Sequence, residues 1–211
     1  MSNPIEWGVK PLAEQERFAA LVREVTSQVL SLEQAEPALG QLLEALSAAK
    51  TALTGLVPSQ STLRIGEGVE GHGRVFIDHC RDIGAFNPMF PVYTFTSLAP
   101  NSATGTVNFP IAYEGPAGCL NGGFIAVFFD TVVQQHNCEL GLSGATRDLD
   151  VKYRRPTPLL VDLTFAVSRE VRHRDVFSEV TLLDGERVLC SATTNAALVD
   201  SRIRPAIGDR R

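Results

Sequence analysis

The stretch CLNGGFIAVFFDTVVQQ, residues 119–135, places a Gly-Gly pair at its start and one acid, Asp130, inside an almost wholly apolar run. From Gly122 to about Leu140 it has helical length and no proline, with Gly141 beyond as a stop signal. Phe124, Ile125, Ala126, Val127, Phe128 and Phe129 leave no solvent face, which marks a helix wrapped by other structure. An ionised carboxylate among Phe128, Phe129, Val132 and Val133 costs several kcal/mol unless it is paired, hydrogen-bonded or wet, and buried acids in clefts often act as bases or nucleophiles. The other reading has Asp130 open the exposed part of the helix, beside Thr131, Gln134 and Gln135.

Around this helix the pattern is of strands. VYTFTSL (92–98) and ATGTVNF (103–109) are β-rich and separated by the turn signature APNS. After the helix come TRDLDVKY, LLVDLTFAVSREV, DVFSEVTLLD and RVLCSATTNAAL, bounded by RRPTP, RHRD and DGE. The order β-β-α-β-β-β-β with short links predicts an α+β fold, an antiparallel sheet wrapped around one central helix. Ahead of it, 1–58 is read as a helical extension: Leu12, Phe18, Leu21, Val22, Val25, Val29 and Leu32 fall near helical spacing, and Pro37 opens a second helix. Both helices are expected to pack on a core. Residues 59–91 read as an irregular connection with short strands such as GRVFID, 92–200 as the main domain, and 201–211 as a tail.

With 44% apolar and 20% charged residues in 211, the chain can bury one good core. No apolar stretch reaches the roughly 18–20 residues that cross a bilayer, so no membrane is expected as a partner. The start, MSNPIEWGVK, lacks the basic and apolar blocks of a secretory signal, and the expected address is the cytoplasm. A formal charge of −5 argues against nucleic acid. Cys80, Cys119, Cys138 and Cys190 are widely spaced and form no C-x-x-C, which predicts reduced thiols, no disulfide framework and no metal. His72, His79 and His136 show no metal spacing and are read as structural or surface residues.

The pair YEGPAGCLNGGFIAVFFD (113–130) and GATRDLDVKYRRPTPL (144–159) resembles the hot-dog-fold acyl-CoA thioesterases of the PaaI-like group. The pattern there is Y-x-G-x-x-G-x-x-H-G-G, an acid on the helix, then G-x-T and Y-x-x-P on the next strand. The likeness covers roughly residues 92–199. It implies hydrolysis of an acyl thioester on coenzyme A, with no cofactor beyond the coenzyme A of the substrate, by a homodimer or a dimer of two such dimers (a homotetramer). It also implies that the Gly122 and Gly123 amides hold the thioester oxygen, that Asp130 is nucleophile or general base, and that Thr146 positions water. Asn121 stands where the pattern has His, and an amide cannot exchange a proton near neutral pH. It is, however, among the best helix N-caps.

The residues support this chemistry on their own terms. A helix N-terminus offers free N–H groups to a carbonyl oxygen that gains negative charge, although Gly122 and Gly123 could also simply let a loop turn into a buried helix. At about 1.5 Å rise per residue, Gly122 and Asp130 lie about 12 Å apart on one helix. One thioester cannot be gripped at both points, so unless the glycines lie in a loop folded back over the helix, the amides of one chain and the acid of another must meet in a two-fold dimer. Arg154, Arg155, His173 and Arg174 are basic residues at strand ends that suit phosphates or plain solvent. Tyr113 is expected to pack against the loop before the helix or to border the acyl group, and Phe124 to suit an apolar or aryl acyl chain. The rival reading is a non-catalytic binder of acyl thioesters or other hydrophobic ligands. A dehydratase on the same fold would need a His near the helix start, where none stands.

Overall fold

The structure, a computed structural model, describes residues 13–56, 82–139 and 144–198. GRVFID, Cys80, His72, His79 and the expected stop at Gly141 lie outside these residues.

Period-two burial builds the sheet. In β2 (Ser102–Asn108) only Ala103, Gly105 and Val107 point inward, and in β4 (Asp162–Arg172) Leu163, Phe165, Val167 and Arg169 do. With β1 (Tyr93–Ala99), β3 (Gly144–Tyr153), β5 (Asp175–Asp184) and β6 (Arg187–Leu198), these form one antiparallel sheet in the order β1-β2-β4-β5-β6-β3. β1 and β3 are its edges. Across its concave face lies α4 (Gly122–Glu139), burying Ile125, Phe128, Phe129, Val132 and Val133. Phe128 meets Phe109 and Phe165 edge-on at 5.3 and 5.5 Å between centroids, so helix and sheet are joined by packed rings.

α4 is not wrapped all round. Phe124, Ala126, Val127, Asp130 and Thr131 are half-buried and Gly123 is exposed, because the described chain covers only the face turned to the sheet. The N-terminal helices differ more from expectation. α1 (Ala13–Leu30) buries only Ala19 and Arg23, the latter donating to the carbonyls of Asn87 and Phe90 at 3.3 and 3.5 Å. That ties α1 to the short helix α3 (Ile83–Phe86) and the loop behind it, where the described part of 59–91 holds a helical turn. α2 (Pro37–Thr54) buries no residue. Its leucine stripe follows helical spacing, but a stripe enters a core only where another surface meets it, and among the described residues none does.

Candidate active site

The loop before α4 folds into a tight hairpin. Glu114 bridges Leu120, and Gly118 takes the turn at φ 74°, a left-handed conformation that suits glycine. At Gly115 a side chain would come within 2.8 Å of the Asn121 backbone. This closure holds Asn121 N–H on the Tyr113 carbonyl at 3.0 Å and leaves Asn121 at the N-cap of α4. Its Oδ1 accepts from Gly123 N–H at 2.8 Å. Because a backbone N–H only donates, the side chain's Nδ2 must point away from it, toward the open side. Gly123 therefore does not present a free amide, as the sequence suggests; its N–H is held by the cap. Gly122 N–H has no partner among the described residues, and its carbonyl accepts from Tyr153 Oη at 2.9 Å. The Tyr153 ring stands 3.3 Å from where a Gly122 Cβ would be.

Two turns along the helix, Asp130 is half-buried, and Thr146 Oγ1 donates to its Oδ1 at 2.8 Å. Thr146 in turn accepts from Gln134 Nε2 at 2.5 Å. A β-bulge makes this contact. Leu149, Val151 and Tyr153 lie opposite Thr194, Ala192 and Cys190, all on the inner face of β6, and simple alternation would turn Thr146 outward. The register shifts between Thr146 and Asp148, which brings Thr146 opposite the inward Ala196 and over the helix. The acid and the glycines thus lie on one unbroken helix, about 12 Å apart at 1.5 Å per residue, and each has its own companion on β3.

The remaining expected residues are spread out. Tyr113 is buried, meets Phe124 edge-on at 4.7 Å between centroids and donates its hydroxyl to the Phe90 and Pro88 carbonyls at 2.7 and 3.2 Å. Burial pushes this phenol up to about 12 despite nearby Arg23. It is a wall residue with a committed hydroxyl. Arg154 and Arg155 are exposed just beyond Tyr153, both donating backbone N–H to the Leu189 carbonyl at 3.0 Å. His173 and Arg174 form the β4–β5 turn, where the Arg174 carbonyl accepts from Leu198 N–H, beside the start of β3 and so at the end of the sheet remote from Gly122. One chain does not gather the four basic residues. A cleft of about 500 Å³ is lined by Arg23, Ser27, Gln28, Asn108 and Tyr113, and no α4 residue reaches it.

The sequence alone assigned no role to Tyr153 or Gln134, and at the far end of α4 it left His136 as a structural or surface residue. There His136 is fully buried, with Nε2 on the Ala99 carbonyl at 2.9 Å. Burial, opposed by that hydrogen bond and aided by Arg169, lowers the imidazole below its ordinary range. Arg169 closes the helix end, donating to the His136 and Pro100 carbonyls and to Asn137 Oδ1.

No family model matches the sequence, and no curated protein matches it. Among solved structures, a thioesterase superfamily protein superimposes with a TM-score of 0.70 at 24% identity, over 90% of this chain and 94% of its own. A hypothetical thioesterase with coenzyme A from Streptococcus pneumoniae aligns at TM-score 0.48 and 18% identity, over 56% of this chain and 91% of its own. A protein of Streptococcus mutans bound to acetyl CoA aligns at 0.49 and 16%, over 58% and 94%. The fold of this chain is the hot-dog fold, an antiparallel sheet around one helix, with an N-terminal helical part.

Proposed function

We propose that the protein is a thioesterase that hydrolyses an acyl-CoA or related acyl thioester at a site shared by two chains. The observation that carries this is the placement of two half-sites on one straight helix: an amide-bearing N-terminus, and an acid held by a hydroxyl. α4 keeps a half-buried stripe of Ala126, Val127, Asp130 and Thr131 beside the edge strand β3. A second chain adding its own β3 to that edge, about a two-fold axis near Ala126, sets Gly122 of one helix opposite the partner's Asp130.

There the thioester oxygen takes Gly122 N–H and Asn121 Nδ2, so the cap residue supplies in its amide a donor that needs no proton exchange. Thr146 occupies Asp130 Oδ1 and leaves Oδ2 for water. Asp130 removes a proton as the water oxygen attacks the carbonyl carbon; the C–S bond then breaks, and the thiolate leaves and is protonated. In the covalent variant Asp130 Oδ2 attacks the carbonyl carbon, the C–S bond breaks to release the thiolate, and water then cleaves the mixed anhydride to the acid and the free carboxylate. The supports are the fold shared with a thioesterase superfamily protein and the likeness of both motifs to the hot-dog thioesterase pattern, with Asn121 in place of its His.

Thiol release from a panel of acyl-CoAs tests the reading. Asp130→Asn is expected to cut kcat by at least about 10²-fold, the scale of a lost general base. Acyl-CoA binding without thiol release by the native protein would leave the binder reading in its place, and activity untouched by Asp130→Asn would refute the role given to Asp130.

A further inference from the structure

Resting on that reading, we propose that Gln134 is a positioning residue, whose amide sets the direction of a hydrogen-bond chain ending on Asp130. Gln134 lies one turn beyond Asp130, more than nine-tenths buried, and donates to Thr146, which donates to Asp130. The direction is forced. An ionised carboxylate only accepts, a hydroxyl has one proton, and an amide nitrogen only donates. Were the Gln134 amide reversed, its Oε1 would need the Thr146 proton already used by Asp130. With Nε2 facing Thr146, the hydroxyl proton cannot turn away, and Asp130 is held by one oxygen with the other free to work.

Packing does not explain this side chain. Its neighbours Val132 and Val133 are apolar and buried, and Gln134 Oε1 meets no donor among the described residues. An apolar residue would fill the space without burying an amide. Gln135 next to it makes the contrast: its Oε1 takes Tyr93 Oη at 2.7 Å and its Nε2 donates to Asp82 Oδ1 at 2.8 Å, a tie between elements away from the acid.

The test is a double-mutant cycle with Thr146→Val, read on the full-length protein. Gln134→Met is expected to lower kcat about tenfold with KM little changed; on a Thr146→Val background it should change kcat less than about twofold, since its effect passes through the hydroxyl. Gln134→Glu adds a pH readout. Ionised, the new carboxylate competes for the Thr146 proton; protonated, it can donate again, and burial favours the protonated form. Its kcat relative to the native protein should climb several-fold as pH falls from about 8 to about 5.5, while the Gln134→Met ratio stays flat. Equal losses in both backgrounds, or a flat Gln134→Glu ratio, overturn the proposal. An Asp130→Asn control as active as the native protein would instead overturn the assignment of Asp130 on which the proposal rests, and a native protein that releases no thiol would overturn the thioesterase reading. Crystal structures of Gln134→Glu at the same two pH values decide the matter even if no acyl-CoA is cleaved. The Thr146–Asp130 bond should be broken at the higher pH and restored at the lower, and a bond intact at both overturns the proposal.

Discussion

In the proposed site Asn121 has two duties that substitution can separate. Its Oδ1 caps Gly123 N–H, and its Nδ2 faces the open side of the helix start. Asn121→Asp retains the acceptor and loses the donor, so the melting temperature should hold while kcat falls roughly 10²-fold, the scale of one lost oxyanion donor. Asn121→Ala loses both, and should also cost about 1 kcal/mol of stability, a shift of about 2–4 °C. Calorimetry beside steady-state kinetics reads both. His136 gives the pH dependence. Its folded-state value is lowered, chiefly by burial, so below about 6.5 the unfolded chain takes up a proton that the folded chain refuses. Stability is therefore lost as pH falls from about 6.5 toward the lowered value, and urea midpoints at pH near 7 and near 5.5 should show a smaller drop for His136→Gln than for the native protein.

Elements are matched by shape as much as by pattern. In β2, Gly105 faces inward where any Cβ would stand 2.2 Å from Phe165 Cζ and 2.3 Å from the Thr94 carbonyl. Phe165 is part of the ring cluster under α4, so Gly105→Ala should push on the whole helix–sheet contact and cost about 1–3 kcal/mol by denaturant titration, the range for overpacking. The bulge in β3 works the other way, by adding a residue. The strand reads as alternating in the sequence, and Thr146 would be placed on the outer face by that rule; only pairing with β6 shows the shift that turns it to Asp130.

For the whole molecule, the proposed sharing of a site between chains has a direct genetic test. A chain with Gly122→Val keeps its acid, and a chain with Asp130→Asn keeps its amides. Each homodimer should be inactive, and a heterodimer should carry one intact site of two. Random co-expression should therefore return about one quarter of native kcat per chain, by the symmetry of a two-fold pair. No recovery in verified heterodimers would place the site within one chain and refute the shared geometry. Size-exclusion chromatography with light scattering should report at least a dimer in the native protein.

The element order, the central helix, and the segregation of amides and acid along it were all legible in the sequence, because period-two and helical spacing, glycine pairs and proline are local signals. So was the capping capacity of Asn121. The contacts of Tyr153 and Gln134, the inward turn of Thr146, the loss of a free Gly123 amide and the bare stripe of α2 were decided only when distant strands and helices met. Each depends on which residue stands opposite which across a sheet or beneath a helix, and that register is set by the pairing of segments far apart in the chain.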